Sequence, residues 1–450
     1  MLEAGLMIIA LMVTALIVQE KIKIPLPISL IGIVLLLSHF HIHPIDINAE
    51  RFDQLLLLLL PLMLIGDVMQ LETDDLRKNW LSVLGTAGVA VVLSILAGVL
   101  LQDVMLPNYA IGLPAMVALM AMVVATDPVT VGSVFSTTKI PHKLKFLAES
   151  ESLFNDATAF AIFSIAITLM HQPLGLPEIA WSFTLSAGGA LITGAVIGLA
   201  GLYLLKLSDN PITETGILLM IAYSAFLISE HYHFAGIFAI VVSMVLANAL
   251  ITSRDRLSEN PLSEDAHTSQ FEQRHNQQLK QQQLKQAKPN KLHAVKTYLN
   301  LGHLTATHQN RQEIIGFISF TALFANVILF VSISEIINLS LLQTYWKEIV
   351  SVFVVSTLIR ALVLGQFAWV SNRSLKMQDI SLDWWAILIF AGVKGGLSIL
   401  MVHMIPNSFE YKALFEAIVV GNIMLSIFIY APAMMLIIKL RQRQLSQQCE

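Results

Sequence analysis

The chain has 450 residues, of which 56% are hydrophobic and 13% charged, with a formal net charge of -4. A soluble domain carries roughly 25% charged residues, so this balance, with a mean hydropathy of +0.71, excludes a soluble protein and points to a polytopic membrane protein. The single cysteine, Cys449, excludes a disulfide framework and a thiolate metal cluster.

The apolar runs are about 20 residues long, which fits membrane helices rather than the roughly 10-residue strands of a barrel. Hydropathy and length predict an all-α fold of thirteen spans. The first, at 3–19, follows Met1, Leu2 and Glu3 with no basic segment and no small-residue cleavage site, and reads as a retained helix. The second and third cover 24–40 and 52–70, and Asp67 in the third lies near the membrane edge, where it is expected to be solvated. Spans four to nine follow at 79–102, 109–136, 151–170, 178–205, 212–230 and 233–251, so residues 1–252 carry nine spans. Residues 253–312 are rich in Gln, Lys and His and poor in large apolar side chains, which predicts a solvated cytoplasmic insertion. The last four spans, at 313–338, 345–369, 383–405 and 411–439, fill 313–440, and 441–450 forms a cytoplasmic tail.

Orientation follows from the basic residues, which favour the cytoplasmic side. With the N-terminus outside and the C-terminus inside, only Arg51, Lys347 and Lys412 of the 27 Lys and Arg residues fall in outer connections, while Arg360 and Lys394 lie within spans.

Charges inside a span are costly and face a protein interior or a water-filled cavity. The sixth span opens on Glu151, Ser152, Leu153, Phe154, Asn155 and Asp156, whose polar members at i, i+1, i+4 and i+5 share one helix stripe. The fifth span contains Ala125, Thr126, Asp127 and Pro128, and the proline disfavours helix at Asp127. The twelfth contains Lys394 between Gly392 and Gly395–Gly396, again a poor continuous helix. Each interrupted span is the middle member of a three-span group, and the second group runs opposite to the first. Paired breaks in inverted repeats are the sequence mark of a secondary transporter's ion site.

Together, the segments Ala125-Thr126-Asp127-Pro128, Glu151 to Asp156, Arg360-Ala361-Leu362 and Gly395-Gly396-Leu397-Ser398 resemble the signature segments of NhaP/NHE-type monovalent cation:proton antiporters. The likeness extends over nearly all of the membrane part, including Leu60-Pro61-Leu62 and Ala235-Gly236-Ile237. It implies a core domain from 79–170 and 345–439 rocking against a dimerisation domain built from the remaining spans, in a homodimer. It implies that Asp156 is the alternating carrier carboxylate, with Asp127 and Thr126 at the unwound crossing and Ser152 a further ligand. Asn155 then marks the electroneutral branch, and Glu151 pairs with Arg360. Lys394 stands where the family usually has arginine, and the 253–312 insertion is longer than the family's pattern suggests.

Chemistry supports such a site. Sodium prefers hard oxygen ligands, which Asp156, Thr126, Ser152 and a freed carbonyl supply. Sodium and a proton then compete for one carboxylate, and because Asn155 is uncharged, one proton is expected to exchange for one cation. Glu151 with Arg360 reads as a structural ion pair, and Lys394 as a structural charge near helix carbonyl ends or Asp127. Asp127 reads equally as a ligand or as the cap of a half-helix. The rival readings are a passive cation channel, and an intramembrane aspartyl protease using Asp127 and Asp156. No nucleotide fingerprint occurs, and neither a cofactor nor a nucleic-acid partner is expected, so the partners are Na+, H+ and the lipid bilayer of the cell membrane.

Overall fold

The structure, a computed structural model, describes residues 2–22, 24–39, 49–136, 138, 140–171, 175–208, 210–258, 308–336, 339–374 and 377–447. Among these the regular elements are all helical. In chain order they are α1 (Leu2–Ile22), α2 (Leu26–His39), α3 (Ala49–Gln70), then α4 (Thr73–Leu84) passing through a π turn (Gly85–Val89) into α5 (Ala90–Leu100). There follow α6 (Gln102–Met105), α7 (Leu113–Val124), α8 (Pro128–Ser136), α9 (His142–His171), α10 (Leu176–Leu205), α11 (Pro211–His231) and α12 (Gly236–Ser258). The C-terminal part contains α13 (His308–Ile336), α14 (Leu339–Thr344), α15 (Trp346–Ser371), α16 (Leu382–Phe390), α17 (Gly396–His403) and α18 (Lys412–Leu425), and a second π turn (Ser426–Tyr430) leads to α19 (Ala431–Gln447).

Helix falls on every one of the thirteen predicted stretches, and nine helical segments among the described residues are long and apolar enough to cross a membrane by themselves. The central part of the predicted insertion, 259–307, lies outside the described residues, while its first residues continue α12 and its last, 308–312, begin α13. The predicted tail likewise continues α19 to Gln447.

Two helix starts differ from the hydropathy reading. α9 begins at His142 rather than at 151, because Leu144 and Lys145 donate to the Pro141 carbonyl and a polar first turn precedes the apolar run. The Glu151–Asp156 stripe therefore lies well inside the helix. α4 begins at Thr73 but kinks at Asn79 (φ -110°, ψ 18°), so its charged first turns are set off from the apolar part.

Burial identifies the centre. The Leu113–Phe135 segment is mostly buried, whereas α1 is mostly exposed. A helix buried all round is a core helix, and one exposing apolar faces within a membrane protein faces lipid. α7 owes its burial to small and flexible side chains, with Ala115, Met116, Ala118, Met120, Ala121 and Met122 all enclosed. Around it pack α5, α9 and α17. In the peripheral part α10 and α12 approach closely, since a Cβ on Gly194 would lie 2.6 Å from the Ala239 carbonyl oxygen.

Candidate functional site

Both predicted breaks occur. α7 ends at Val124, residues 125–127 are non-helical, and α8 restarts at Pro128. Pro128 has no N–H to continue a helix, and it holds Asp127 away from helical geometry. α16 ends at Phe390, and α17 restarts at Gly396, with Gly395 extended (φ -133°, ψ -166°).

The two breaks touch. The Asp127 backbone N–H donates to the Val393 carbonyl at 2.7 Å and the Ser398 hydroxyl donates to the Met122 carbonyl at 2.7 Å, while the second break is tied separately to the π turn by the Lys394 N–H, which donates to the Ser426 hydroxyl at 2.9 Å. Contact this close requires glycine: a Cβ on Gly395 would lie 2.5 Å from the Asp127 Cβ. The crossing of broken helices expected from the sequence is therefore formed by backbone-to-backbone contact.

The half-helix ends are then satisfied by side chains. Asp127 accepts at Oδ2 from the Thr130 N–H (3.0 Å) and hydroxyl (2.6 Å), and at Oδ1 from the Val129 N–H (3.4 Å), so it caps α8. Asn155 donates from Nδ2 to the Val124 carbonyl and to the Thr126 hydroxyl, both at 3.1 Å, which closes the end of α7. Arg360 closes α16, donating from Nε to the Ile389 carbonyl (3.2 Å) and from Nη2 to the Leu388 carbonyl (3.0 Å). Its Nη1 and Nη2 also reach Glu151 in a two-point pair at 3.0 and 2.9 Å. A guanidinium suits this double task, because its planar fork offers five donors.

Asp156 has a different environment. Its Oδ1 accepts one hydrogen bond, 2.9 Å from the Thr126 N–H, and its side chain lines a cavity of about 30 Å³ at the crossing. That is room for at least one water, and so for one small ion. Thr126, Asp127, Asp67, Gly395 and Ser398 line the same cavity. Ser152, one turn before Asp156 on α9, is fully buried, and its hydroxyl has no hydrogen-bond partner among the described residues, but it does not line the cavity. Lys394 is buried, and its ammonium makes no ion pair or hydrogen bond among the described residues.

One expectation is corrected. Asp67 does not sit in open solvent at the membrane edge: α3 turns it toward the crossing, where it shares the cavity with Asp127 and Asp156. Sequence reading underrated it, although it is the one charged residue between Asp53 and Glu72. Ser398, quoted above as part of a signature segment, was given no role there, because a serine in an apolar span is usually bonded back to its own helix.

A family model described as "Sodium/hydrogen exchanger, transmembrane" matches residues 7–271. The chain is 26% identical to the Na(+)/H(+) antiporter ApNhaP of Aphanothece halophytica, over 93% of this chain and 70% of that protein. It is 30% identical to the Na(+)/H(+) antiporter NhaG of Bacillus atrophaeus over 54% of this chain, and there it spans only 48% of the relative's length. Among solved structures, the sodium proton antiporter MjNhaP1 of Methanocaldococcus jannaschii superposes with a TM-score of 0.69 at 18% identity, covering 96% of this chain and 99% of that one. At that identity the likeness establishes the fold.

Proposed function

The chain belongs to the sodium/hydrogen exchanger family, a family of multi-pass membrane transporters and not of enzymes, and from that premise we propose that it exchanges Na+ for H+ across the cell membrane, with Asp156 as the carboxylate that the two share. The observation that carries this reading is the contrast at the crossing: Asp127 and Glu151 each have several partners, whereas Asp156 has one backbone donor and faces an ion-sized cavity.

Transport follows from charge. A bare carboxylate is costly away from water, so the site crosses the membrane when neutralised by a proton or by a cation and stays put when empty. Sodium would take oxygen ligands from Asp156 and Thr126, with the Ser152 hydroxyl one turn away on the same stripe. Asp127 contributes chiefly as the cap that holds the Thr126 backbone in place, with Asp67 as a further acidic wall. Glu151, Arg360, Asn155 and Lys394 support the crossing. Because Asn155 occupies the neighbouring position with an uncharged amide, one proton moves per cation and the exchange is electroneutral. In this reading the groups 79–170 and 345–439 form a core that rocks against the remaining spans in a homodimer. The N-terminus is outside and the C-terminus cytoplasmic, and the exchange contributes to pH homeostasis.

The test uses proteoliposomes holding a pH dye, with the voltage clamped by potassium and valinomycin, and additions of Na+, Li+ or K+. Wild type moves protons on cation addition at every clamped voltage, and Asp156→Asn does not. Equal proton movement in the Asn variant would remove Asp156 from the role. Cation flux without proton movement would make the protein a channel.

A further inference from the structure

Each break directs a backbone N–H at a side chain of the span that closes its three-span group. In the first, the Thr126 N–H donates to the Asp156 carboxylate on α9 at 2.9 Å, and in the second, the Lys394 N–H donates to the Ser426 hydroxyl at 2.9 Å. Ser426 therefore takes, in the second group, the place that Asp156 takes in the first. The polar neighbour one turn earlier is repeated too, Ser152 before Asp156 and Asn422 before Ser426, and all four are buried.

Ser426 carries no charge and does not line the ion-sized cavity, so its part is a different one. Its single proton goes to the Ile423 carbonyl at 2.9 Å, which leaves the oxygen free to accept. Lys394 lies in the non-helical stretch 392–395, where no helix ladder supplies an acceptor, and its N–H has no other acceptor among the described residues. A buried donor deprived of its partner costs free energy, so the second break is held where Ser426 puts it. The neighbours of Lys394 carry that placement to the site. Val393, just before it, receives the Asp127 N–H, and Gly395, just after it, lines the cavity with Gly396 and Ser398.

The helix presents Ser426 at the start of its π turn, a rare geometry found frequently at functional sites. At the end of the same turn Tyr430 is buried, its ring packed against Phe353 and Phe390. Thr357 gives its proton to the Phe353 carbonyl, so the Tyr430 hydroxyl donates to Thr357, which lies one turn before Arg360 on α15. The π turn thus grips the second break twice, its backbone through Ser426 and the helix that brings Arg360 to it through Tyr430.

Resting on the exchange reading, we infer that Ser426 is a positioning residue for cation binding, whose hydroxyl fixes the second break against Asp127 and thereby sets the width of the cavity that Asp156 faces. Ser426 touches neither the cation nor the proton and acts through the backbone of residues 393–395. Because a small displacement of that backbone changes the fit of the cavity to its ion, Ser426 also governs the preference between Na+ and Li+.

The experiment records proton movement on addition of Na+ or Li+ in voltage-clamped proteoliposomes, at matched amounts of folded protein, for wild type, Ser426→Ala, Ser426→Val and Ser426→Thr. Thr and Val have nearly the same shape, and Thr in a helix keeps a hydroxyl that can bond a carbonyl three or four residues back, so this pair separates the hydroxyl from its volume. Ser426→Ala removes the hydroxyl without adding bulk. Ala and Val raise the KM for Na+ about fivefold, the equivalent of roughly 1 kcal/mol for one lost hydrogen bond, change the ratio of the Li+ and Na+ KM values, and leave the plateau rate where it was. Ser426→Thr keeps the wild-type KM and ratio. A merely structural serine would lower the plateau and move neither KM, and that result overturns the positioning role. Ser426→Thr behaving as Ser426→Val overturns it as well, since volume and not the hydroxyl would then be at work. If wild type moves no protons with either cation, the exchange reading itself fails. If wild type exchanges and Asp156→Asn does not, while Ser426→Ala and Ser426→Val match wild type in KM and in ratio, the positioning role alone fails.

Discussion

The two breaks at the crossing are built with opposite charge. The first, at 125–127, carries Asp127 at the start of α8, where the helix dipole is positive, and the second leaves the end of α16, where it is negative, to Arg360. Each charge therefore meets a helix end of the opposite sign, and Glu151 balances Arg360. The charges at the crossing are therefore not equivalent. Asp127 and Arg360, which close helix ends, are fully occupied, and Asp156, which accepts only the Thr126 N–H, keeps capacity for the cargo.

Breaking the second break is expected to cost most. Arg360→Ala strips two carbonyls of their donor and leaves Glu151 as a buried, unpaired charge, a loss of about 3–5 kcal/mol, seen as a collapse of the thermal transition in detergent. A variant as stable as wild type would mean that the pair is incidental.

Next is the contact between the breaks. Gly395→Ala forces a Cβ to within 2.5 Å of the Asp127 Cβ, so the crossing must spread. Overpacking of this kind costs about 1–3 kcal/mol, and the exchange rate in proteoliposomes falls with it.

The first break separates cap from ligand. Asn caps a helix about as well as Asp, whereas Ala loses about 1 kcal/mol. Asp127→Asn should keep both the stability and most of the exchange that Asp127→Ala loses. Equal loss of exchange in both variants would assign the Asp127 charge to cation binding instead.

The smallest effect is expected at the outer ends of the two groups, far from the breaks. There the Tyr109 hydroxyl donates to Glu348 at 3.1 Å, and Tyr109→Phe should lower stability by about 1 kcal/mol or less and leave the Na+ dependence of exchange unmoved.

These contrasts were legible in the sequence to different degrees. The breaks were readable because proline and glycine act on the backbone locally, whatever packs around them. The Glu151–Asp156 stripe was readable because helix periodicity alone puts it on one face. The partners were not: that Arg360 reaches two carbonyls of α16, or that Asn155 reaches Val124, depends on how helices distant in the chain lie against each other. Asp67 escaped for a related reason. It sits where an apolar run gives way to polar residues, which hydropathy reads as the water boundary. What takes it inside is the packing of α3 against α13, so close that a Cβ on Gly66 would lie 2.5 Å from the Ala322 Cβ.

Competition between Na+ and H+ tests directly whether the two share Asp156. Initial exchange rates in voltage-clamped proteoliposomes are measured across Na+ concentrations at a series of pH values on the same side. A shared carboxylate predicts that added protons raise the KM for Na+ and leave the plateau rate at saturating Na+ unchanged. A plateau that falls while the KM stays fixed would place the proton on a different group and remove Asp156 from its shared role.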